Sequence, residues 1–466
     1  MPQSRPRSEP PPGGTQPQEA DVLRQTLRSP GYLKLLVFCA LISIPVSLAS
    51  FWFLAALHTM ERAMWTDLPK ALGWDVPPWW WPLPLLLVAG VVVGLVVPHM
   101  RGNGGHLPAA GLHTGGASAG ALPGVIIAAV ASLPLGAVLG PEAPLIALGG
   151  GLALLFRNLA QVPVTPQGTA LIGAAGAAAA IATIFGNPLI AAVLLIEVAG
   201  VGGPQLFAVM LPSLLSAGVG DLVFTGLGRW TGLKIGSLKL ELGVPVPHLD
   251  VADVLWAVLI AAALAVALHP VLTGARVIAA YVLERPLLRT VQCALAAAAC
   301  ASLYALITGL SPADVTGSGQ AMIGRLAADP HSWGVGALIG VLVFKGAGYA
   351  ICLGSLRGGP VFPALCLGAV AGVLLGPLPG LGIVPAMGAG MAATAASALR
   401  LPVSSVVMVV LMLGGTAMIP VVIIAAVVAF VVTELLPVGP RIPELPAVPA
   451  KPTAPAAPAA PAAPAA

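Results

Sequence analysis

The chain has 466 residues; 58% are apolar and only 8% are Asp, Glu, Lys or Arg, against roughly 25% charged residues in soluble domains. Its 21 basic and 17 acidic side chains leave a net charge of +4. So few charges cannot clothe a soluble protein of this length, which excludes an ordinary cytosolic enzyme, a disordered chain and a disulfide scaffold, and the small, unclustered charge gives no sign of nucleic-acid binding. What remains is an all-α polytopic membrane protein. The apolar runs are long and continuous, unlike the alternating strands of a membrane barrel.

Residues 1–30 are polar and rich in Pro, Gln, Arg and Ser, which predicts a disordered segment. No apolar stretch opens the chain, so a cleaved signal peptide is not expected. Arg5, Arg7, Arg24, Arg28 and Lys34 precede or open the first apolar run and predict a cytoplasmic N-terminus in a cell membrane, a bacterial inner membrane by the Ala/Gly/Pro-rich composition. One hydrophobic body, residues 31–437, follows as a transmembrane domain. Its spans are predicted near 33–57, 80–98, 121–139, 168–184, 187–200, 204–225, 251–268, 291–309, 333–353, 382–398 and 402–436. Several are shorter than the roughly 20 residues that cross a bilayer. Many are interrupted by Gly or Pro, which in a membrane predicts half-helices and re-entrant pieces. Residues 438–466 form a Pro/Ala tail ending in PAAPAAPAAPAA, predicted to be disordered and extended.

The body repeats itself. Residues 140–149 read GPEAPLIALG and residues 359–368 read GPVFPALCLG, five identities in ten. A second pair follows, in which Pro188 and Pro402 each stand 12 residues after Gly176 and Gly390. A weaker third precedes both: Gly102-Asn103-Gly104 against Gly317-Ser318-Gly319. The same order in both sets predicts two homologous halves, about 31–230 and 250–437, with a site near the midplane.

Each Gly-Pro pair predicts a helix start, whose first N–H groups are unpaired and whose dipole end is positive. Two such ends aimed at one point could replace the hydration shell of an anion. Glu142 replaces the Val361 of the other half. A carboxylate in an apolar body costs several kcal/mol unless protonated or paired. At a helix start it resembles an anion, can occupy the anion's own place, and leaves when protonated. That describes a gate coupled to protons, or otherwise a capping carboxylate.

Glu197 ends an apolar run and reads either as a second proton station or as an interfacial residue. Lys345 lies within a span and either draws anions to a vestibule or supports structure. Arg357 adds positive field before the second Gly-Pro start. Trp79, Trp80 and Trp81 read as interfacial anchors. Cys39, Cys293, Cys300, Cys352 and Cys366 read as small core residues, with no CxxC pair. His106 and His113 stand seven apart with no Cys or acidic ligand near, so neither a metal nor any other cofactor is expected. Gly116-Ala117-Ser118-Ala119-Gly120 matches a nucleophile-elbow pattern but follows no predicted strand. An intramembrane enzyme would need Ser118 or the histidines to converge in a wet cavity.

These motifs resemble the CLC family of chloride channels and chloride/proton antiporters, over nearly the whole hydrophobic body. Gly140-Pro141-Glu142-Ala143-Pro144 is similar to the family's Gly-Arg/Lys-Glu-Gly-Pro motif, which implies that Glu142 is the gating glutamate. Gly358 to Pro363 resembles the Gly-x-Phe-x-Pro region, implying Val361 and Phe362 as backbone donors. Gly102-Asn103-Gly104 resembles the Gly-Ser-Gly-Ile-Pro motif, with Asn103 at the usual Ser. In the other register, Gly105-His106-Leu107-Pro108, Gly105 takes that place. The resemblance thus implies anion ligands among Asn103, Gly104, Gly105, Gly140, Ala143, Val361 and Phe362, with Lys345 at a basic position that the family also carries. It implies two inverted-topology repeats with broken helices, a homodimer with one pore per subunit, and transport of chloride or another small anion, with or without protons, across the lipid bilayer. The departures are Pro141 for the basic residue, Pro360 without an N–H, no Tyr after Tyr349, and Val198 at the antiporters' internal glutamate, one position after Glu197. Channel and antiporter, chloride and fluoride, and a relative without flux all stay open.

Overall fold

The computed structural model describes residues 24–25, 27–112, 118–162, 165–200, 204–232, 239–245 and 248–442. His113, Gly116 and Ala117 of the nucleophile-elbow pattern, and most of both predicted tails lie outside the described residues.

Proline and small polar residues start many of the helices, and glycine stops several. Pro30 opens α1 (Pro30–Arg62), and Ser29 accepts the Tyr32 N–H. There follow α2 (Pro82–His99), α3 (Leu122–Ser132) and α4 (Glu142–Leu159). In α5 (Pro166–Phe185), Thr165 caps the start and Gly186, left-handed at φ 56°, ends it. Asn187 then caps α6 (Pro188–Ala199), and α7 (Pro204–Thr231) closes the first set. The second set begins with α8 (Val251–Glu284), opened by a capping box of Asp250 and Asp253. It continues with α9 (Pro286–Thr308), α10 (Gln320–Ala328), α11 (Val335–Ser355), α12 (Val361–Leu375), α13 (Ile383–Leu399), α14 (Pro402–Leu413) and α15 (Ile419–Leu435). Among the described residues there is no strand, only one isolated bridge between Gly140 and Gly359.

Three predicted spans change shape. The span at 402–436 is two helices, α14 and α15, because Gly414 turns left-handed at φ 70° and Pro420 opens a new helix. The span at 121–139 holds only the 11 residues of α3 before a turn at Gly136. The span at 251–268 runs on to Glu284, with Pro270 inside it.

The repeat is visible as two helix pairs, α4 with α5 and α12 with α13. Gly149 and Gly176 meet backbone to backbone, as do Gly368 and Gly390: a methyl on any of the four would strike the partner's carbonyl. Small residues are what allow apolar helices to approach this closely. The Ala/Gly-rich α5 and α13 are accordingly the buried centre, with every residue from Ala175 to Phe185 and from Val384 to Ser397 buried. Around them, α1, α2, α8 and α9 leave large apolar side chains exposed, among them Leu41, Trp52, Val88, Leu259 and Ile307. Seven of the described helices are long and apolar enough to cross a membrane. An apolar core wrapped in an apolar exterior is the layout of an integral membrane protein.

Candidate functional site

The two Gly-Pro segments cross each other. Gly140 donates its N–H to the Gly359 carbonyl at 2.8 Å, and Gly359 returns one to the Gly140 carbonyl. Pro141 and Pro360 then cap α4 and α12, so the two helix starts sit side by side although they are far apart in sequence. Glu142 is the first residue of α4 and is 1% exposed. Its Oε1 accepts the Phe362 N–H at 2.9 Å, so the carboxyl of one half rests on the helix start of the other. Its Oε2 is buried without a partner. The carboxyl fits because Gly140 and Gly359 lack side chains: a methyl on either would land on it. Val361 and Phe362 are fully buried, and the Phe362 ring stacks on Phe185 at 5.8 Å.

Magnitudes show how firmly this seat is held. A charge-assisted hydrogen bond contributes about 1.5–3 kcal/mol and a helix N-terminus up to about 2 kcal/mol. Taking a carboxylate out of water costs several kcal/mol in return. The two sides are of similar size and largely offset each other.

A small cavity lies on the other side of Ala143, which is half-buried. It is walled by Gly104, Gly105, His106, Ala143, Arg357 and Gly358. The loop from Gly102 to Gly105 is left-handed throughout, including Asn103 at φ 51°. That turns the Asn103 carbonyl onto Arg357, whose Nε donates to it at 3.2 Å. Of the two registers read from the sequence, the structure places Gly105 in the cavity wall and Asn103 beside it, holding Arg357. A separate small cleft reaches Pro141 from elsewhere, lined by His58, Glu61, Ser318 and Gln320 among others.

Lys345 is fully buried and donates to the carbonyls of Val315, Thr316 and Gly317 at 3.0, 3.1 and 3.2 Å. The structure thus places it on the loop of the second Gly-x-Gly motif, in a supporting position. Glu197 is not brought to Glu142. Its Oε1 accepts the Val403 N–H at 3.0 Å, and its Oε2 accepts the Ser404 N–H and hydroxyl at 2.7 and 2.6 Å. It caps the start of α14 from another helix. Glu197→Ala should therefore cost about 1–2 kcal/mol, the loss of an N-cap, read as a lower unfolding temperature in detergent, while Glu197→Gln should recover part of it.

Ser118 is exposed and precedes the short turn Ala119–Ala121. No cluster of metal ligands occurs among the described residues. The five cysteines are free thiols, four buried and Cys300 half-buried. Sequence reasoning missed one contributor. The Tyr349 hydroxyl donates to the Pro360 carbonyl at 2.6 Å and pins the start of α12. Its spacing of four from Lys345, one turn along the same helix face, was the available signal.

A model of the voltage gated chloride channel family matches residues 109–434. Among curated relatives, the putative ion-transport protein YfeO of Salmonella newport is 27% identical over 186 residues, 39% of this chain and 44% of the relative. The Salmonella choleraesuis protein of the same name is 28% identical over the same length. The match thus spans less than half the length of these relatives. Among solved structures, a slow cyanobacterial Cl-/H+ antiporter superposes with TM-score 0.70 at 19% identity, covering 86% of this chain and 94% of that one. A CLC-type fluoride/proton antiporter superposes with TM-score 0.64 at 18% identity, covering 86% and 96%. At such identities the structures speak for the fold, and the family match speaks for descent. With the crossed Gly-Pro helix starts inside the matched region, this chain belongs to the voltage gated chloride channel family.

Proposed function

We propose that this protein carries a small inorganic anion, chloride in the first instance, along a path past the starts of α4 and α12, with Glu142 as its gate. The observation that carries the reading is the seat of the Glu142 carboxyl on the Phe362 N–H. The anionic carboxylate fills a place that an anion would fill by the same hydrogen bond. Protonation removes its charge, weakens its hold on the positive helix end and frees the amide for the anion. Flux then rises as pH falls. Gly140, Ala143, Val361 and Phe362 belong to the helix starts, Gly104 and Gly105 to the mouth, and Lys345 holds the opposite loop.

The two halves, about 31–230 and 250–437, act as one transport unit in this reading, and two chains form a homodimer with a path in each. The N-terminus faces the cytoplasm of a cell membrane, bacterial and inner by composition. The seat uses a backbone N–H, which suits chloride and fluoride alike, so both ions belong in the test. Glu197 is assigned to the α14 cap rather than to proton work, because both its oxygens are engaged there.

The test is efflux of chloride and of fluoride from liposomes holding the purified protein, across a range of pH. Unsubstituted protein should pass one of them faster as the pH falls. Glu142→Gln should pass it at a rate independent of pH. Steep pH dependence retained in Glu142→Gln would remove Glu142 as the gate. No efflux of either ion from the unsubstituted protein would remove the transport reading.

A further inference from the structure

Two of the outer helices leave a groove between them on the apolar exterior. Gly90 and Gly94 of α2 lie against α9: a methyl on Gly94 would strike the Leu287 backbone, and one on Gly90 the Val291 backbone. Pairing 94 with 287 and 90 with 291 makes the two helices antiparallel, so α9 starts beside the end of α2. Outside this glycine contact the side chains part. Val91 and Pro98, seven residues apart on α2, form one wall, and Leu288 and Val291 of α9 form the other. The groove holds about 580 Å³, the size of a small-molecule pocket. It runs roughly 10 Å along α2. The hydrocarbon core of a bilayer is about 30 Å thick, so that length is most of one leaflet. Val91, Leu287 and Leu288 stay exposed, so no other element among the described residues covers the groove.

One end of the groove is cationic. Arg285 joins α8 to α9 and borders it. Arg285 is exposed, its side chain caps nothing at the start of α9, and it takes part in no ion pair among the described residues. Arg289, one turn on, is engaged. It pairs with Glu284 at 2.7 Å, donates to the Tyr281 carbonyl at 2.6 Å and lies over the Tyr281 ring at 4.2 Å. Glu284 is the acid of this turn, and Arg289 already holds it, so Arg285 is the spare charge. The same side of the membrane carries further cations. Consecutive spans alternate in direction, so the end of α2 and Arg101 after it lie on the side where α1 starts, with Arg24, Arg28 and Lys34. A positive edge above an apolar slot complements an anionic headgroup above an acyl chain.

We propose that the α2–α9 groove, with Arg285 at its end, binds one anionic glycerophospholipid. Its acyl chain lies along Val91 and Leu288, and its phosphate meets the guanidinium, whose fork suits two phosphate oxygens. A free phosphate gains nothing from the slot. A zwitterionic lipid fills the slot, but its own cation offsets the attraction to Arg285. The groove is on the outer face, away from the Gly140–Gly359 crossing, and the inference stands whether or not Glu142 is a gate.

The test is native mass spectrometry of the purified full-length protein in detergent, titrated with phosphatidylglycerol or with phosphatidylcholine of the same acyl chains. Unsubstituted protein should hold its first phosphatidylglycerol about fivefold more tightly than phosphatidylcholine, the worth of one basic side chain at a membrane surface. Arg285→Gln should bring the two lipids to equal affinity, and Arg285→Lys should restore most of the preference. The Arg285 side chain supports no hydrogen bond or ion pair among the described residues, so both variants should fold. Val91→Trp fills the slot from an exposed position and should weaken both lipids while keeping their ratio. Equal affinity of the unsubstituted protein for the two lipids would overturn the site. So would an unchanged preference in Arg285→Gln, or unchanged binding of both lipids in Val91→Trp. Glycerol phosphate, the soluble headgroup alone, should not displace phosphatidylglycerol at equal concentration. Displacement would assign Arg285 to a free phosphate and overturn the lipid assignment.

Discussion

Lys345→Met should lower the stability of the fold by about 3 kcal/mol, the largest loss expected from a single side chain outside the proposed Glu142 gate. Met has nearly the same length and fills the same buried space, so the loss is one of hydrogen bonds. The Lys345 ammonium holds the Val315, Thr316 and Gly317 carbonyls at 3.0–3.2 Å, and each buried carbonyl left without a donor costs about 1–3 kcal/mol. Removing the buried charge returns part of that, because its desolvation no longer weighs on the fold. The damage travels further than the loop. Gly317 donates its N–H to the Gly136 carbonyl at 3.1 Å, in the turn that leads to Gly140 and Glu142. Thermal unfolding in detergent should show the drop, and the same sample should show slowed flux. An unchanged unfolding temperature would mean that these carbonyls find other donors.

Gly359→Ala should produce flux that no longer responds to pH, although Glu142 is still present. The added methyl would coincide with Glu142 Oε2 and crowd the Ala143 N–H. The methyl cannot move because it sits on backbone held by the Gly140 bridge. The carboxyl can, and it gives up the Phe362 N–H. Relocating one carboxyl forfeits a hydrogen bond of about 1.5–3 kcal/mol, which shifts its seated fraction by roughly ten- to a hundredfold. Gly346→Ala is the matched control, since a methyl there meets nothing within 4 Å, and its flux should keep the normal pH response. A pH response retained in Gly359→Ala would show that the seat near Gly359 does not control the path.

Particular residues show where sequence reading reaches its end. Gly140-Pro141 and Gly359-Pro360 were legible as helix starts, because glycine and proline act through their own backbone. Glu142 was legible as a carboxyl at the first position of one of them. The two-helix nature of 402–436 was also written there, in Gly414, Gly415 and Pro420, and the apolar run across them masked it. Glu197 could not be resolved, because its partners are Val403 and Ser404, more than two hundred residues away. Arg357 was legible as a positive charge, yet that no acid among the described residues pairs with it depends on what the whole fold brings near it.

By itself, the amino-acid order determined the membrane class, the doubled Gly-Pro motif and the one acidic residue at its centre, since composition, periodicity and backbone chemistry are local properties. Tertiary structure alone decided that Gly140 pairs with Gly359, that Glu142 rests on Phe362, that Lys345 gathers a loop and that Arg357 faces a cavity. Those are contacts between segments whose separation along the chain leaves no mark on either one. They form because Gly149 against Gly176 and Gly368 against Gly390 let the helices close to backbone contact, which carries the two helix starts to the same place.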